Sequence, residues 1–266
     1  MDSIRLKLTI AFDGGAYAGW QAQRTGVGVQ QKIEAALGRL FPGVGPVQGS
    51  SRTDAGVHAL GLVAHVDVPK AALQMPMRRI PMAINAHLPA DIRVMAVVRA
   101  PATFHARFEA RGKQYRYFIW NHTALNPLLR GRAWHVPRRL DFAAMRTAAA
   151  GLVGTHDFRS FTAKREGQLG CSVRTLNRCD VGRRGALFTF VIEGDGFLYR
   201  MCRGIVGTIV QAGLGKFGPE VVPAMLAARD RRAAGMTAPA HGLVLWKVLY
   251  GKRGVPADAL DEDDDE

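Results

Sequence analysis

The stretch IRLKLTIAF (residues 4–12) decides the fold. Ile4, Leu6, Leu8, Ile10 and Phe12 alternate with Arg5, Lys7 and Thr9. A period of two places the apolar set on one face of a strand and the polar set on the other. DGGAYAG (13–19) then supplies turn residues. Val29, Ile33, Ala36, Leu37 and Leu40 recur at helical spacing and predict a helix to about Phe41. A short strand fits residues 46–50, and LVAHVDV (62–68) reads as another. Met77, Ile80, Ala83, Ile84 and Leu88 predict a second helix, against which Pro81 counts. Residues 92–98 close this half as a strand. The succession β-α-β-β-α-β is the ferredoxin-like unit.

The same succession returns in the second half. Residues 111–120 form a strand carrying Tyr115 and Tyr117, whose rings share one face while Arg116 points the other way. Asp141 is the expected N-cap of a helix with Phe142, Met145, Ala149 and Leu152. Strands fit 173–181 and 187–193. A long, mostly apolar helix is predicted over about 197–212, a short one after Pro219, and a final strand over 243–250. The expected fold class is therefore α+β, with two ferredoxin-like subdomains at residues 1–107 and 108–251. Packed side by side, two such sheets leave a cleft suited to a nucleic-acid strand.

A chain of 266 residues, 48% hydrophobic, is enough for one large or two small domains with a packed core. No run of about 18 apolar residues is present, so no membrane span is expected. MDSIRLKLTI lacks an apolar signal region, which makes the cytoplasm the expected location. Cys171, Cys179 and Cys202 form no C-x-x-C pair, and the eight histidines show no H-E-x-x-H spacing. Neither a disulfide framework nor a metal site is expected.

Charge narrows the partner. The chain has 36 Lys and Arg against 22 Asp and Glu, a net +14. Seven of those acids lie in the final nine residues, DALDEDDDE, which leaves 15 acids and a net +21 for the rest. Such an excess on a folded body points to a polyanion, because neutralised phosphates release counterions. The acidic tail, 252–266, has little to bury and is expected to be disordered.

SSRTDAGVHALG (50–61) sets Asp54 between Arg52 and a small-residue turn. Asp54 is either a reactive carboxylate kept ionised by a cation or an ordinary surface acid in a loop.

Seven stretches together resemble the tRNA pseudouridine synthase A family. They are FDGGAYAGWQ (12–21), VQQKIEAAL (29–37), SRTDAGVHALG (51–61), FHARFEA (104–110), KQYRYFIWN (113–121), FLYRMCRGIVG (197–207) and APAHGLVLWKVLY (238–250). Their order and spacing fit that family over about residues 4 to 250. The resemblance implies two α/β subdomains sharing a central mixed, mainly antiparallel sheet, with the active site in the cleft. It implies isomerisation of uridine to pseudouridine at positions 38, 39 and 40 of the tRNA anticodon stem-loop, by a homodimer without a cofactor. Three departures stand out. Ser51 replaces a usual Gly, MCRG (201–204) replaces M-V-R-N, and Val244 replaces an aromatic residue.

The resemblance also assigns roles. Asp54 is the nucleophile, as a carboxylate can attack carbon and leave again. Arg203 is its salt-bridge partner, opposing the rise in pKa that desolvation would cause. Tyr115 stacks on the flipped uracil, and Arg52 enters the space the base leaves. From the residues alone, Arg203 reads first as a solvated helix arginine and the tyrosine pair as core, and Arg52 could be a loop partner of Asp54. Tyr117 is assigned to the core. Two rival functions fit less well. A non-catalytic RNA-binding module would need the RRM signature, which is missing. A nucleoside hydrolase usually pairs two carboxylates, and RTDAG offers one.

Overall fold

The structure is a computed structural model that describes residues 2–21, 26–163 and 170–251, so the acidic tail at 252–266 lies outside the described residues. Two compact units are present. The first is Met1–Lys113 joined by the segment that starts at Leu245, and the second is Gln114–Val244.

In the first unit β1 (Ser3–Phe12), α1 (Val29–Leu40), β2 (Gln48–Gly49), β3 (His58–Pro69), α2 (Ile80–Asn85) and β4 (Ile92–Ala100) follow the expected order. β1 is antiparallel to both β3 and β4, so Ile10 pairs with Leu62 on one side and Val94 on the other. Leu6, Leu8 and Ile10 are fully buried, as are Ile33 and Leu37 of α1 and Ile80 and Ile84 of α2. That is the apolar face the alternation required. α2 is shorter than the 77–88 spacing predicts. Pro81 sits in its first turn, where a missing N–H is harmless, and Met77–Arg79 form a separate 3-10 turn. Asn85 fastens α2 to the edge strand by bonding both the N–H (2.8 Å) and the carbonyl (2.9 Å) of Val94.

The polar face of β1 is covered as well. Arg5 makes a two-pronged ion pair with its cross-strand neighbour Asp67 (2.8 and 2.7 Å) and donates to the Phe104 carbonyl (2.8 Å). Phe104 and Ala106 pack with Val63, against Val248 and Tyr250. Lys7 lies over the Tyr250 ring at 4.7 Å. The FHARFEA stretch is thus folded onto the sheet. Strand β10 (Leu243–Leu249) joins beside β3, which gives the order β4-β1-β3-β10 with β2 also on β3.

The second unit holds all but the first two residues of β5 (Gly112–Trp120), with β6 (Trp134–His135), α3 (Phe142–Ala150), β7 (Gly154–Asp157), β8 (Val173–Arg184), β9 (Leu187–Gly194), α4 (Met201–Gly213) and α5 (Val222–Ala228). Its strand order is β5-β9-β8-β7, with β6 parallel to β5 and the β7–β8 and β8–β9 pairs antiparallel. Asp141 caps α3 as expected, accepting the Ala144 N–H at 3.0 Å. α4 begins at Met201 and not at 197, because Arg200 is left-handed (φ 60) and closes the helix at its N-terminus. With ten strands, five α-helices and mostly antiparallel pairing, the described residues form the α+β class that the sequence predicts.

Candidate active site

The R-T-D loop lies between β2 and β3, and the segment after β1 holds it. Asp13 N–H bonds the Asp91 carbonyl (2.9 Å), and the Tyr17 hydroxyl bonds the Asp91 carboxylate (2.7 Å). Burial and that hydrogen bond push the Tyr17 phenol far above its ordinary pKa, so it remains a donor. Trp20, itself buried, stacks on Phe12. On this anchored segment the R-T-D loop is tied by two backbone bonds, and the first residues of β3 by a third bond to a side chain. Trp20 N–H donates to the Thr53 carbonyl (3.3 Å), Gly56 N–H to the Tyr17 carbonyl (3.3 Å), and Gly14 N–H to Nδ1 of His58 (3.0 Å).

Asp54 opens a tight turn. Its carbonyl accepts the Val57 N–H at 3.2 Å, and Gly56 has φ +77 at the third position. A type II turn needs a positive φ there, which explains the glycine. Gly19 (φ +102) meets the loop from the other side. A Cβ on Gly19 would lie 2.4 Å from the Thr53 carbonyl oxygen, so the two segments can approach only if this residue is glycine. Ser51 is not among the residues of positive φ, so this position does not require a glycine. Asp54 is half-buried on this turn, and Arg52 is exposed.

In the second unit Tyr115 is buried on β5, and Phe197 meets its ring edge-on at 5.1 Å. Arg203 sits on α4, whose other residues, apart from Gln211, are all buried. The segment after α5 clamps it: Arg203 Nε donates to the Ala238 carbonyl (2.8 Å), and Ala238 N–H returns to the Arg203 carbonyl (3.0 Å). The next carbonyl, of Pro239, accepts the hydroxyl of Tyr117 at 2.9 Å. Tyr117 is fully buried, as a core residue should be. Burial drives its phenol well above the ordinary pKa, and the Arg203 charge pulls the other way. A helix with one anchored guanidinium is a rigid mount for a fixed cation.

Arg52 and Asp54 therefore share one rigid loop of the first unit, while Tyr115 and Arg203 belong to the second. The periodicity of the sequence did not reveal the cradle formed by Gly14, Tyr17, Gly19 and Trp20. Only the glycines of DGGAYAG (13–19) hinted at a close approach. A carboxylate on a fixed turn of the first unit suits nucleophilic chemistry.

Comparison with known proteins agrees over nearly the whole chain. The family described as tRNA pseudouridine synthase matches residues 8–109 and 148–251. These spans contain Arg52, Asp54 and Arg203, whereas Tyr115 falls between them. The tRNA pseudouridine synthase A of Bacillus pumilus (strain SAFR-032) is 43% identical over 249 residues, covering 93% of this chain and 99% of the relative. That of Bacillus subtilis (strain 168) is 45% identical over the same length, with the same two coverages. The chain also aligns to a solved structure described as a Cbf5-Nop10-Gar1 complex, with TM-score 0.38 and 10% identity. That alignment spans 90% of this chain and 48% of the other, and so low a likeness carries no weight.

Proposed function

Since this chain belongs to the tRNA pseudouridine synthase family, and is thus an isomerase of tRNA uridine, we propose that it acts on uridines 38, 39 and 40 of the anticodon stem-loop with Asp54 as nucleophile on a flipped-out base. The observation that best supports this is the mounting of Asp54 on a turn pinned by backbone bonds to the Tyr17–Trp20 segment. A nucleophile must be held in attack geometry, and such a turn holds it.

The reaction consumes no external atom. The N1–C1′ bond breaks, the uracil turns, and a C5–C1′ bond forms; C5 loses a proton and N1 gains one. Asp54 takes up the electron-poor carbon and releases it at the end. Arg203 is the cation that pairs with this carboxylate. Tyr115 stacks on the uracil and assists removal of the C5 proton. Arg52 fills the space that the base vacates. Extruding the base costs a few kcal/mol, and stacking returns about 1–3 kcal/mol. Net affinity must then come from phosphate contacts on the basic surface. The acting species in this reading is a cytoplasmic homodimer bound to tRNA.

Tritium release from C5-labelled uridine in tRNA tests the assignment. Wild type should release tritium in a single turnover. Asp54→Asn should release none while binding tRNA within a few-fold of wild type. Release by Asp54→Asn would reject the nucleophile, and free uracil among the products would favour a hydrolase.

A further inference from the structure

The FHARFEA stretch presents a feature that the reaction above does not use. Phe108 is 77% exposed, although the stretch that carries it is firmly held. His105 N–H bonds the Glu109 carboxylate (2.8 Å), and Glu109 N–H bonds the His105 carbonyl (3.1 Å). Nδ1 of His105 accepts the N–H groups of Arg107 (3.2 Å) and Phe108 (3.3 Å). This closed knuckle is bolted to the sheet. Ala106 N–H donates to His65 (3.2 Å), and the Tyr250 hydroxyl donates to the Ala106 carbonyl (2.6 Å). The His105 ring lies 4.2 Å from that of Phe108, and the Arg107 guanidinium lies over the same ring at 5.8 Å. Beside the knuckle opens a cavity of about 400 Å³ lined by Phe104, Glu109, Arg111, Tyr250 and Gly251.

We propose that Phe108 is a stacking platform for an unpaired base of the tRNA other than the reacting uridine, with Arg107 and Arg111 facing its phosphates. The inference rests on tRNA being the substrate. A rigid, exposed aromatic ring loses little entropy when a base stacks on it, and every base has a face to offer. The flanking arginines suit a polyanion. At this face a second copy presenting the same Arg107 and Arg111 would meet cation to cation, so the ring suits RNA and not a partner copy. A ring this open to solvent cannot confine a uracil detached from its sugar, so the platform serves binding and not the isomerisation.

Titration of intact tRNA at fixed salt, with tritium release measured in parallel, tests the proposal on wild type, Phe108→Ala, Phe108→Trp and Arg107→Ala. Loss of one stacked base should raise Kd for Phe108→Ala about 5- to 150-fold. Phe108→Trp should keep wild-type affinity within about threefold, and its added indole emission should be quenched by tRNA. Arg107→Ala should lower the salt slope by about one. Unfolding midpoints should stay near wild type, because the ring is exposed. An unchanged Kd for Phe108→Ala, or an unquenched indole, overturns the proposal. So does an unchanged Kd accompanied by altered sedimentation, which would assign the ring to contact between copies. Inactive wild type would sink the proposed reaction itself, whereas active wild type with normal binding by Phe108→Ala sinks only the platform.

Discussion

Gly19 and His65 show how single residues carry the first unit. At Gly19 an alanine would need φ near +102 and would place its methyl on the Thr53 carbonyl. Gly19→Ala should therefore destabilise the protein by about 1–3 kcal/mol and displace the R-T-D loop. Denaturant titration should record the first effect, and reduced tritium release the second. His65 is buried, and burial, then the charges of Arg5 and His105, hold its pKa below the ordinary value. It binds a proton less readily when folded than when unfolded, so the unfolded chain takes up the extra proton at acid pH. Its contribution is complete above about pH 6.5 and is lost as pH falls through the folded value, at no more than about 1.4 kcal/mol per pH unit. Chemical denaturation between pH 5 and 8 should show this slope, and His65→Gln should flatten it. Asp54 stood out in the sequence by its R-T-D setting, whereas Arg203 was marked only by the resemblance of FLYRMCRGIVG (197–207) to a known family. The Gly19–Thr53 approach was hidden, because it joins residues far apart in the chain and no periodicity records it.

At the scale of elements, α3 depends on its cap. Asp141→Ala leaves the Ala144 N–H without its partner and should lower stability by about 1 kcal/mol, read as a shift of the unfolding midpoint at constant m-value. Most elements could be read in advance, because each long strand or helix repeats its apolar residues at its own period. β6 and β7, of two and four residues, are too short to show a period. The start of α4 was hidden for another reason. A left-handed conformation at an arginine costs about 1–2 kcal/mol and leaves no mark on composition. Here the Arg200 carbonyl accepts the Gly204 N–H (2.9 Å), and its guanidinium lies over Tyr199 at 4.9 Å. The carbonyl of Tyr199 in turn accepts from Thr162 and Ala163. Together these contacts fix the direction in which α4 delivers Arg203.

For the whole molecule, charge sets the binding law. With 36 basic residues against 22 acidic ones, tRNA affinity should fall at least about tenfold between 50 and 200 mM salt. Filter binding across that range checks it, and a flat profile would mean that phosphate contacts contribute little. A second property follows from the place of β10. The strand beside β3 comes from the chain after Leu245, so it reaches the first unit only after the whole second unit has been translated. At about 5–20 residues per second, the 131 residues of Gln114–Val244 occupy the ribosome for roughly 7 to 26 s. Throughout that interval the part of β3 that β2 does not cover carries a bare hydrogen-bonding flank, which invites chaperone capture or aggregation. A ribosome that stalls late therefore leaves a fragment with a naked edge and no finished enzyme.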